Sequence, residues 1–392
     1  MSKNMIQWLE IGDLDIHISD GNYSSKYPRS EEFIESGVPF IRANNLVNKS
    51  ISDEEMYFIS PQKHGLLKKG HLKTNDVLIS TRGDLGKVAL VPKRYNDSNI
   101  NAQLVLLRPN PHKIDPLYLL YCFEGDRVKG QISQLQTGTA LKQLPVGNLK
   151  RIKIPLPPLE EQRRIAAILD KADGVRRKRK EAIRLTEELL RSTFLEMFGD
   201  PVTNPKGWEI GKVIDYADCI VPGRDKPKSF TGDIPWVTTT DLNHLGYTYK
   251  SRLNIGLTID EIKQVNARII PKDSVLLTCA GDLGVTSIAG CNMVVNQQLH
   301  SFQCNEIDNH FLMHVITYQK NFMHQRATQT TVPYMNKTAC NSIPVIYPPL
   351  ELQRKFGGFC RKFSASTSQF DSLEQSENLF NSLLQRAFRG EL

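Results

Sequence analysis

Pro157-Pro158-Leu159-Glu160-Glu161-Gln162-Arg163 returns later in the chain as Pro348-Pro349-Leu350-Glu351-Leu352-Gln353-Arg354, and each copy opens a long helical pattern. Proline suits the first turn of a helix, where its missing N–H costs nothing, and is excluded from the interior. Each copy therefore marks the point where strand-forming sequence gives way to helix. Upstream, Gly83-Asp84-Leu85-Gly86 recurs as Gly281-Asp282-Leu283-Gly284, and Val38-Pro39-Phe40-Ile41 is echoed by Ile234-Pro235-Trp236-Val237. The chain is thus an internal repeat, each half one globular unit followed by one long helix.

Before the first copy, Val38 to Ile41, Asp76 to Ser80, Lys87 to Val91 and Leu104 to Arg108 read as strands bounded by turn residues, with a helical stretch from Pro116 to Phe123. That mixture predicts an α+β domain with mixed or antiparallel β-structure and short helices. From Leu159 to Phe198 the periodicity is helical. Ile165, Ile168, Leu169, Ala172 and Val175 form a stripe that Ala182, Ile183, Leu189, Leu190, Phe194 and Met197 continue. A helix of that length spans about 60 Å, too long to be buried in one small domain. Gly174 in its middle allows a bend or break.

Gly199-Asp200-Pro201 ends the helix, and Asn204-Pro205-Lys206-Gly207 reads as a linker. Trp208 to about Tyr347 repeats the first unit. The closing helix carries Phe356, Phe359, Phe363, Phe370, Leu373, Phe380, Leu384 and Phe388. Antiparallel pairing of the two helices would bury both stripes and give a pseudo-twofold arrangement. The expected segments are a first domain at 1–155, a central helix at 156–200, a second domain at 201–347 and a C-terminal helix at 348–392.

The 392 residues, 40% hydrophobic and 23% charged, are enough for two domains with good cores. No apolar run approaches the roughly 18 to 20 residues of a membrane helix, and the polar start from Met1 to Glu10 predicts a cytoplasmic protein. The 7 cysteines never fall in a Cys-x-x-Cys pattern and read as reduced thiols, mostly core filler. A net charge of +8 suggests a polyanionic partner, because clustered Lys and Arg displace counterions from phosphates.

Catalytic signatures are missing. His310 and His314 have the spacing of a helical zinc pair but lack the intervening glutamate, so a packed or surface pair is expected. There is no P-loop, and both Pro-Pro pairs lie in a context unlike the Asn/Asp-Pro-Pro-Tyr/Phe motif of adenine methyltransferases. The expectation is a chain with no catalytic residues, metal or cofactor of its own. The basic run Arg176-Arg177-Lys178-Arg179-Lys180 must point all round its helix and is expected to be solvated or partner-facing.

Over essentially its full length the chain resembles the specificity subunit of type I restriction-modification systems. The resemblance rests on Pro155 to Ile165 and its repeat, on Phe198-Gly199-Asp200-Pro201 with Asn204-Pro205-Lys206-Gly207-Trp208, and on the ending Ala387-Phe388-Arg389-Gly390-Glu391-Leu392. It implies two similar target recognition domains, each reading half of a bipartite double-stranded DNA sequence. It also implies two antiparallel, coiled-coil-like helices that act as spacer and docking surface. The partners it implies are adenine methyltransferase subunits, two of them expected, which bind S-adenosylmethionine, and restriction/translocase subunits, which use ATP and Mg. The alternatives left open are a DNA-binding scaffold no longer coupled to restriction, and an unrecognised nuclease or methyltransferase.

Comparison of the halves separates frame from reader. Identical positions such as Gly83/Gly281 and Gly86/Gly284 suit a fixed turn. Ser80-Thr81-Arg82 lies opposite Thr278-Cys279-Ala280, and Arg42-Ala43-Asn44-Asn45 opposite Thr238-Thr239-Thr240-Asp241. Arginine matches guanine and asparagine matches adenine in the major groove. The DNA-binding candidates are therefore Arg42, Asn44, Asn45, Arg82 and Lys87 in the first half, and Arg224, Lys226, Thr238, Thr239, Thr240 and Asn243 in the second. Polar loops at matching places add Thr137, Thr139 and Lys142, and Thr330, Thr331, Asn336 and Lys337, as phosphate-positioning groups.

Overall fold

The structure is a computed structural model that describes residues 7–23, 26–223, 225–328, 331–366 and 369–392. Arg224, Thr330 and the side chain of Phe370 lie outside the described residues. The chain divides into two compact units, one made of 1–181 with 371–392 and the other of 182–370.

In the first unit, Ile16–Asp20, Leu104–Pro109, Val77–Ser80 and Val88–Leu90 form an antiparallel sheet in that order. The central strands are apolar in nearly every position because both faces are covered. Val77, Ile79, Val105 and Leu107 face a cluster with Tyr118, Leu119 and Phe123 from the helix Pro116–Glu124. Leu78, Leu104, Leu106 and Ala89 face the other way, onto Ile41 and Ile100. Those last two belong to a smaller sheet in which Val38–Ile41 pairs antiparallel with Tyr57–Ile59 and parallel with Asn99–Ile100. The antiparallel sheet is present, and the parallel pair gives the mixed pairing within the expected mixed or antiparallel α+β class.

The second unit repeats the plan. Ala217–Ile220, Leu299–Cys304, Val275–Thr278 and Thr286–Ala289 are antiparallel neighbours, and Tyr247–Thr248 joins the last in parallel. Ile234–Val237 again pairs antiparallel on one side, with Gly256–Leu257, and parallel on the other, with Val294–Val295. The helix Asn309–Tyr318 takes the place of Pro116–Glu124.

The first long helix runs unbroken over Leu159–Phe198, so Gly174 does not break it. The second is described as helix over Leu350–Ser366 and Gln369–Arg389. The two long elements pair antiparallel inside each unit. In the first unit Ile165, Ala166 and Leu169 share a core with Phe380, Leu384 and Ala387, and Arg176 lies 4.5 Å over the Phe380 ring. Lys180 Nζ meets Glu377 Oε1 at 2.7 Å. In the second unit Phe194 and Phe198 meet Phe356 at 5.3 and 5.7 Å between ring centroids. Val175 and Leu189, both assigned to the apolar stripe from sequence, are exposed at 44% each, because the partner helix covers a narrower strip than the periodicity suggests.

The repeated motif explains its own residues. Leu159 and Leu350 start the helices, and the Pro158 and Pro349 carbonyls accept the first N–H groups, from Gln162 at 3.0 Å and Gln353 at 3.2 Å. Both glutamine side chains are buried and span the junction. Gln162 Oε1 accepts the Asp115 N–H at 3.0 Å while its Nε2 donates to Pro157 O at 2.9 Å and Lys113 O at 3.1 Å. Gln353 Oε1 accepts the Asp308 N–H at 3.1 Å and its Nε2 donates to Pro348 O at 2.7 Å. The segment after Phe198 is a helix cap as much as a linker. Gly199 has φ +76°, Trp208 Nε1 donates to Phe198 O at 2.9 Å, and Lys206 Nζ donates to Glu196 O at 2.6 Å and Met197 O at 3.0 Å.

Candidate nucleic-acid interface

The hairpin carrying Gly83 and Gly86 is built identically in both halves. Gly83 and Gly281 both have φ +77°, and Gly86 and Gly284 have φ +82° and +83°, a region that L side chains resist. Ser80 Oγ donates to Asp84 O at 2.5 Å and accepts the Lys87 N–H at 2.9 Å. Thr278 Oγ1 donates to Asp282 O at 2.5 Å and accepts the Val285 N–H at 3.0 Å. A hydroxyl at this buried position is therefore part of the frame.

Three further loops gather at this hairpin, again in duplicate. Leu144 N donates to Thr81 O at 2.8 Å and Gly83 N to Lys142 O at 3.2 Å; in the second half Met335 N donates to Cys279 O at 2.8 Å and Gly281 N to Pro333 O at 3.1 Å. Thr81 N and Cys279 N each donate at 2.8 Å, to Gln103 O and Gln298 O. Asn101 N and Asn296 N each donate at 2.9 Å, to Ile41 O and Val237 O, which ties in the turns at Arg42 and Thr238. In each unit the structure thus brings the 42–45 or 238–241 turn, the 82–87 or 280–285 hairpin and the 137–143 or 331–334 loop to one edge.

Individual candidates divide into scaffold and surface. Asn45 is removed from the readers: it is fully buried, Oδ1 accepts the Arg42 N–H at 3.0 Å, and Nδ2 donates to Glu54 O at 2.9 Å and Ser52 O at 3.4 Å. Asp241, its counterpart, accepts the Thr238 N–H at 2.7 Å and so holds the same turn with a carboxylate. Arg42 is half-buried, its guanidinium 3.5 Å from the Tyr57 ring centre, with Nη2 donating to Glu55 O at 2.7 Å. Asn44 is exposed beside Glu55 Oε2 at 3.5 Å. Lys87 is exposed and paired with Asp84 at 3.0 Å.

Arg82 stands 4.6 Å from the Tyr23 ring centre over a recess of 360 Å³ lined by Asp20, Tyr23, Thr81, Gln143 and Leu144. Tyr23 is itself 49% exposed and donates its hydroxyl to Ala102 O at 2.9 Å. Thr137, Thr139 and Lys142 are exposed on the adjoining loop. In the second unit Thr238 Oγ1 bonds Asp241 at 2.8 Å and Thr240 at 3.0 Å, with Thr240 exposed and Thr239 half-exposed. Asn243 is partly engaged, its Nδ2 donating to Tyr247 O at 3.4 Å. Thr331 and Lys226 are exposed, the latter beside a loop whose Gly223 and Asp225 carbonyls accept from Gln297 Nε2 at 3.1 and 3.3 Å. Asn336 is a helix N-cap, its Oδ1 accepting the Ala339 N–H at 2.9 Å, and Lys337 follows it on the surface.

Sequence reasoning passed over Tyr23, Gln103, Gln143 and Gln298, although a signal existed. Asn101-Ala102-Gln103-Leu104 repeats as Asn296-Gln297-Gln298-Leu299. In both, the asparagine accepts the glutamine N–H (3.1 and 3.2 Å) and donates to its side-chain oxygen (2.9 and 3.2 Å), presenting an oriented, exposed amide.

Other groups are structural. His310 and His314 are buried; His310 Nε2 bonds the Tyr247 hydroxyl at 2.9 Å, and His314 lies against Phe194 and Phe356 at 5.9 and 5.0 Å. Burial lowers their pKa values to about 4 and about 3. All seven cysteines are free thiols. The basic run on the first long helix is only partly solvated: Arg176 and Arg177 both meet the buried Asp173, at 2.5 and 3.2 Å, and Lys49 meets it at 3.2 Å. That carboxylate was invisible in a sequence reading that counted only the cations. No helix among the described residues is long and apolar enough to cross a membrane.

Comparison with known proteins agrees with this duplicated architecture. The model of the type I restriction modification DNA specificity domain matches twice, at 11–185 and 205–377. The type I restriction enzyme StySPI specificity subunit of Salmonella potsdam is 21% identical over 400 residues, covering 91% of this chain and 82% of that protein. The MjaIX specificity subunit of Methanocaldococcus jannaschii is 25% identical over 190 residues, 46% of this chain and 42% of its own length. The crystal structure of the type I restriction-modification S subunit from M. genitalium has the same fold, with a TM-score of 0.66 at 16% identity over 98% of this chain and 97% of that one. With two matching domains over most of its length, the chain belongs to the type I restriction modification DNA specificity family.

Proposed function

We propose that this chain reads a bipartite double-stranded DNA target, one half-site per unit, through the loop edge that carries Arg82 and Gln103 in the first unit and Ala280 and Gln298 in the second. The observation that carries this reading is a frame duplicated hydrogen bond by hydrogen bond and decorated with different side chains: Arg82 against Ala280, Gln143 against Tyr334, Arg42 against Thr238. A rigid backbone with variable side chains is what sequence reading requires, since base edges are distinguished by hydrogen-bond pattern and phosphates are not. Lys87, Thr137, Thr139, Lys142, Lys226, Thr331 and Lys337 border these readers and suit phosphate positioning.

In this reading the paired helices set the length of the unread spacer and dock adenine methyltransferase subunits, two of them by the pseudo-twofold repeat. S-adenosylmethionine then belongs to those subunits, ATP and Mg to a restriction/translocase partner, and this chain supplies specificity without catalysis, in the cytoplasm. Mapping methylated adenines in host DNA with and without the gene tests the proposal. A bipartite motif that disappears with the gene supports it, and a methylation pattern that does not change overturns it.

A further inference from the structure

His64, His71 and Asp97 of the first unit converge although they come from three separate segments. Asp97 Oδ1 lies 3.4 Å from His64 Nε2 and 3.8 Å from His71 Nδ1, and the three atoms are all within 4.8 Å of one another. The other nitrogen of each imidazole has an acceptor. His71 Nε2 is 2.6 Å from the Leu67 carbonyl, and His64 Nδ1 bonds Asn99 Oδ1. The Asn99 amide is turned that way by its own Nδ2, which donates to Lys69 O at 3.5 Å. A carbonyl oxygen can only accept, so each ring carries its proton on that side. The remaining nitrogens therefore present lone pairs toward each other and toward the carboxylate oxygen.

Three acceptors facing one another without a donor are stabilised by a cation. We infer that His64 Nε2, His71 Nδ1 and Asp97 Oδ1 form a binding site for a divalent transition metal of the zinc type. Zinc holds imidazole nitrogen and carboxylate oxygen at about 2.0–2.2 Å, so tetrahedral ligands sit about 3.4 Å apart. The two separations to Asp97, 3.4 and 3.8 Å, need to close by no more than a few tenths of an ångström, and the two imidazole nitrogens lie within 4.8 Å of each other. Both imidazoles already have the outer-shell acceptor that fixes tautomer and ring orientation at such sites.

The backbone holds the third ligand in place at some cost. Asp97 has φ +63°, a conformation unfavourable for a residue other than glycine, and is kept there by its N–H donating to Leu72 O at 2.8 Å while Leu72 N donates to Ser98 O at 2.9 Å. Its side chain is 73% exposed, leaving a fourth coordination position open to water.

The repeat supplies an internal control. Ser60 and Thr258 cap equivalent helices, Pro61–Leu66 and Ile259–Gln264, which puts Ile262 opposite His64. Leu72 N and Ile270 N make equivalent bonds, to Ser98 O and Met293 O, which puts Ile269 opposite His71. The frame therefore stands without imidazoles in one half, so the histidines of the other are not required by the fold. A metal there would fasten the helix Pro61–Leu66 to the strand Asn99–Ile100, which pairs with Val38–Ile41 and leads to the Arg42 turn.

The test uses the full chain, freed of metal with a chelator and titrated with Zn(II) against a chromophoric chelator. Wild type is expected to bind one more equivalent than the His64→Gln/His71→Gln variant, and Co(II) in its place should show the intense visible bands of a four-coordinate site. Asp97→Asn, at an exposed side chain that leaves folding intact, should weaken Zn(II) binding at least tenfold. Equal stoichiometry in wild type and the double variant, no Zn(II) bound by wild type, or equal affinity in Asp97→Asn would each overturn the inference.

Discussion

Gln162 accepts the N–H of Asp115, forty-seven positions earlier in the chain, at 3.0 Å, and Gln353 accepts that of Asp308 at 3.1 Å, so one buried amide per half joins each globular unit to the helix that follows it. Both aspartates are themselves N-caps: Asp115 accepts from Tyr118 N at 2.9 Å, and Asp308 from His310 N at 3.0 Å. A single side chain thus positions a helix start, a helix cap and the strand end between them. Gln162→Leu should cost about 1–3 kcal/mol, because it strands the Asp115 N–H and two carbonyls away from water. Faster amide exchange at Asp115 to Tyr118 is the expected readout, and unchanged protection there would remove the junction role.

Arg82 and Arg42 should separate in their effects on DNA. Arg82→Ala is expected to weaken binding by about 1–3 kcal/mol and relax one position of one half-site. Arg42→Ala, which loses the Tyr57 stack and the Glu55 carbonyl, should lower the stability of the first unit as well. Binding to a panel of single-base variants, together with thermal melts, distinguishes a reader from a scaffold residue.

The repeated glycines should matter through backbone strain alone. A Cβ on Gly83 or Gly281 would meet nothing within 4 Å, yet both hold φ +77°. Ala at either position is expected to destabilise its unit by roughly 1 kcal/mol. A change smaller than about 0.3 kcal/mol in chemical denaturation would show that the hairpin relaxes freely.

The second unit should be acid-sensitive. His300 and His310 are lowered to about 4 and His314 to about 3, in each case first by burial, with Lys337 adding to the effect at His300 and Arg361 at His310. The unfolded chain takes up these protons near pH 6.5 while the folded unit does not, so stability is complete above that pH and is lost as pH falls toward 4. Amide protection in Asn309–Tyr318 followed from pH 7 to 4.5 should fall, and His310→Gln should flatten the slope.

The helix pair should act as a ruler. Removing two turns from both long helices at matched positions is expected to shorten the unread spacer by a few base pairs, given about 1.5 Å per residue against about 3.4 Å per base pair. Methylation-site maps of the shortened protein provide the measurement, and an unaltered spacer would assign spacing to another part of the complex.

Local chemistry, repeated twice, makes the architecture legible in the order of residues. Proline at a helix start, glycine in a positive-φ turn and a stripe of apolar residues are each dictated by neighbours in the chain, so the unit-and-helix repeat, the hairpins and the helix pairing could all be read from the order of residues. What the sequence could not determine is which polar side chains remain free to meet a partner. Asn45 looks like a reader in a linear comparison but is consumed by its own turn, and Arg42 is held in part by the Tyr57 ring and the Glu55 carbonyl. Tyr23 meets Arg82, and His64 and His71 meet Asp97, only because segments apart in sequence lie side by side. Hydrogen-bond satisfaction is a property of three-dimensional neighbourhoods. The tertiary structure alone decided which of this protein's polar groups build its frame and which are left to read.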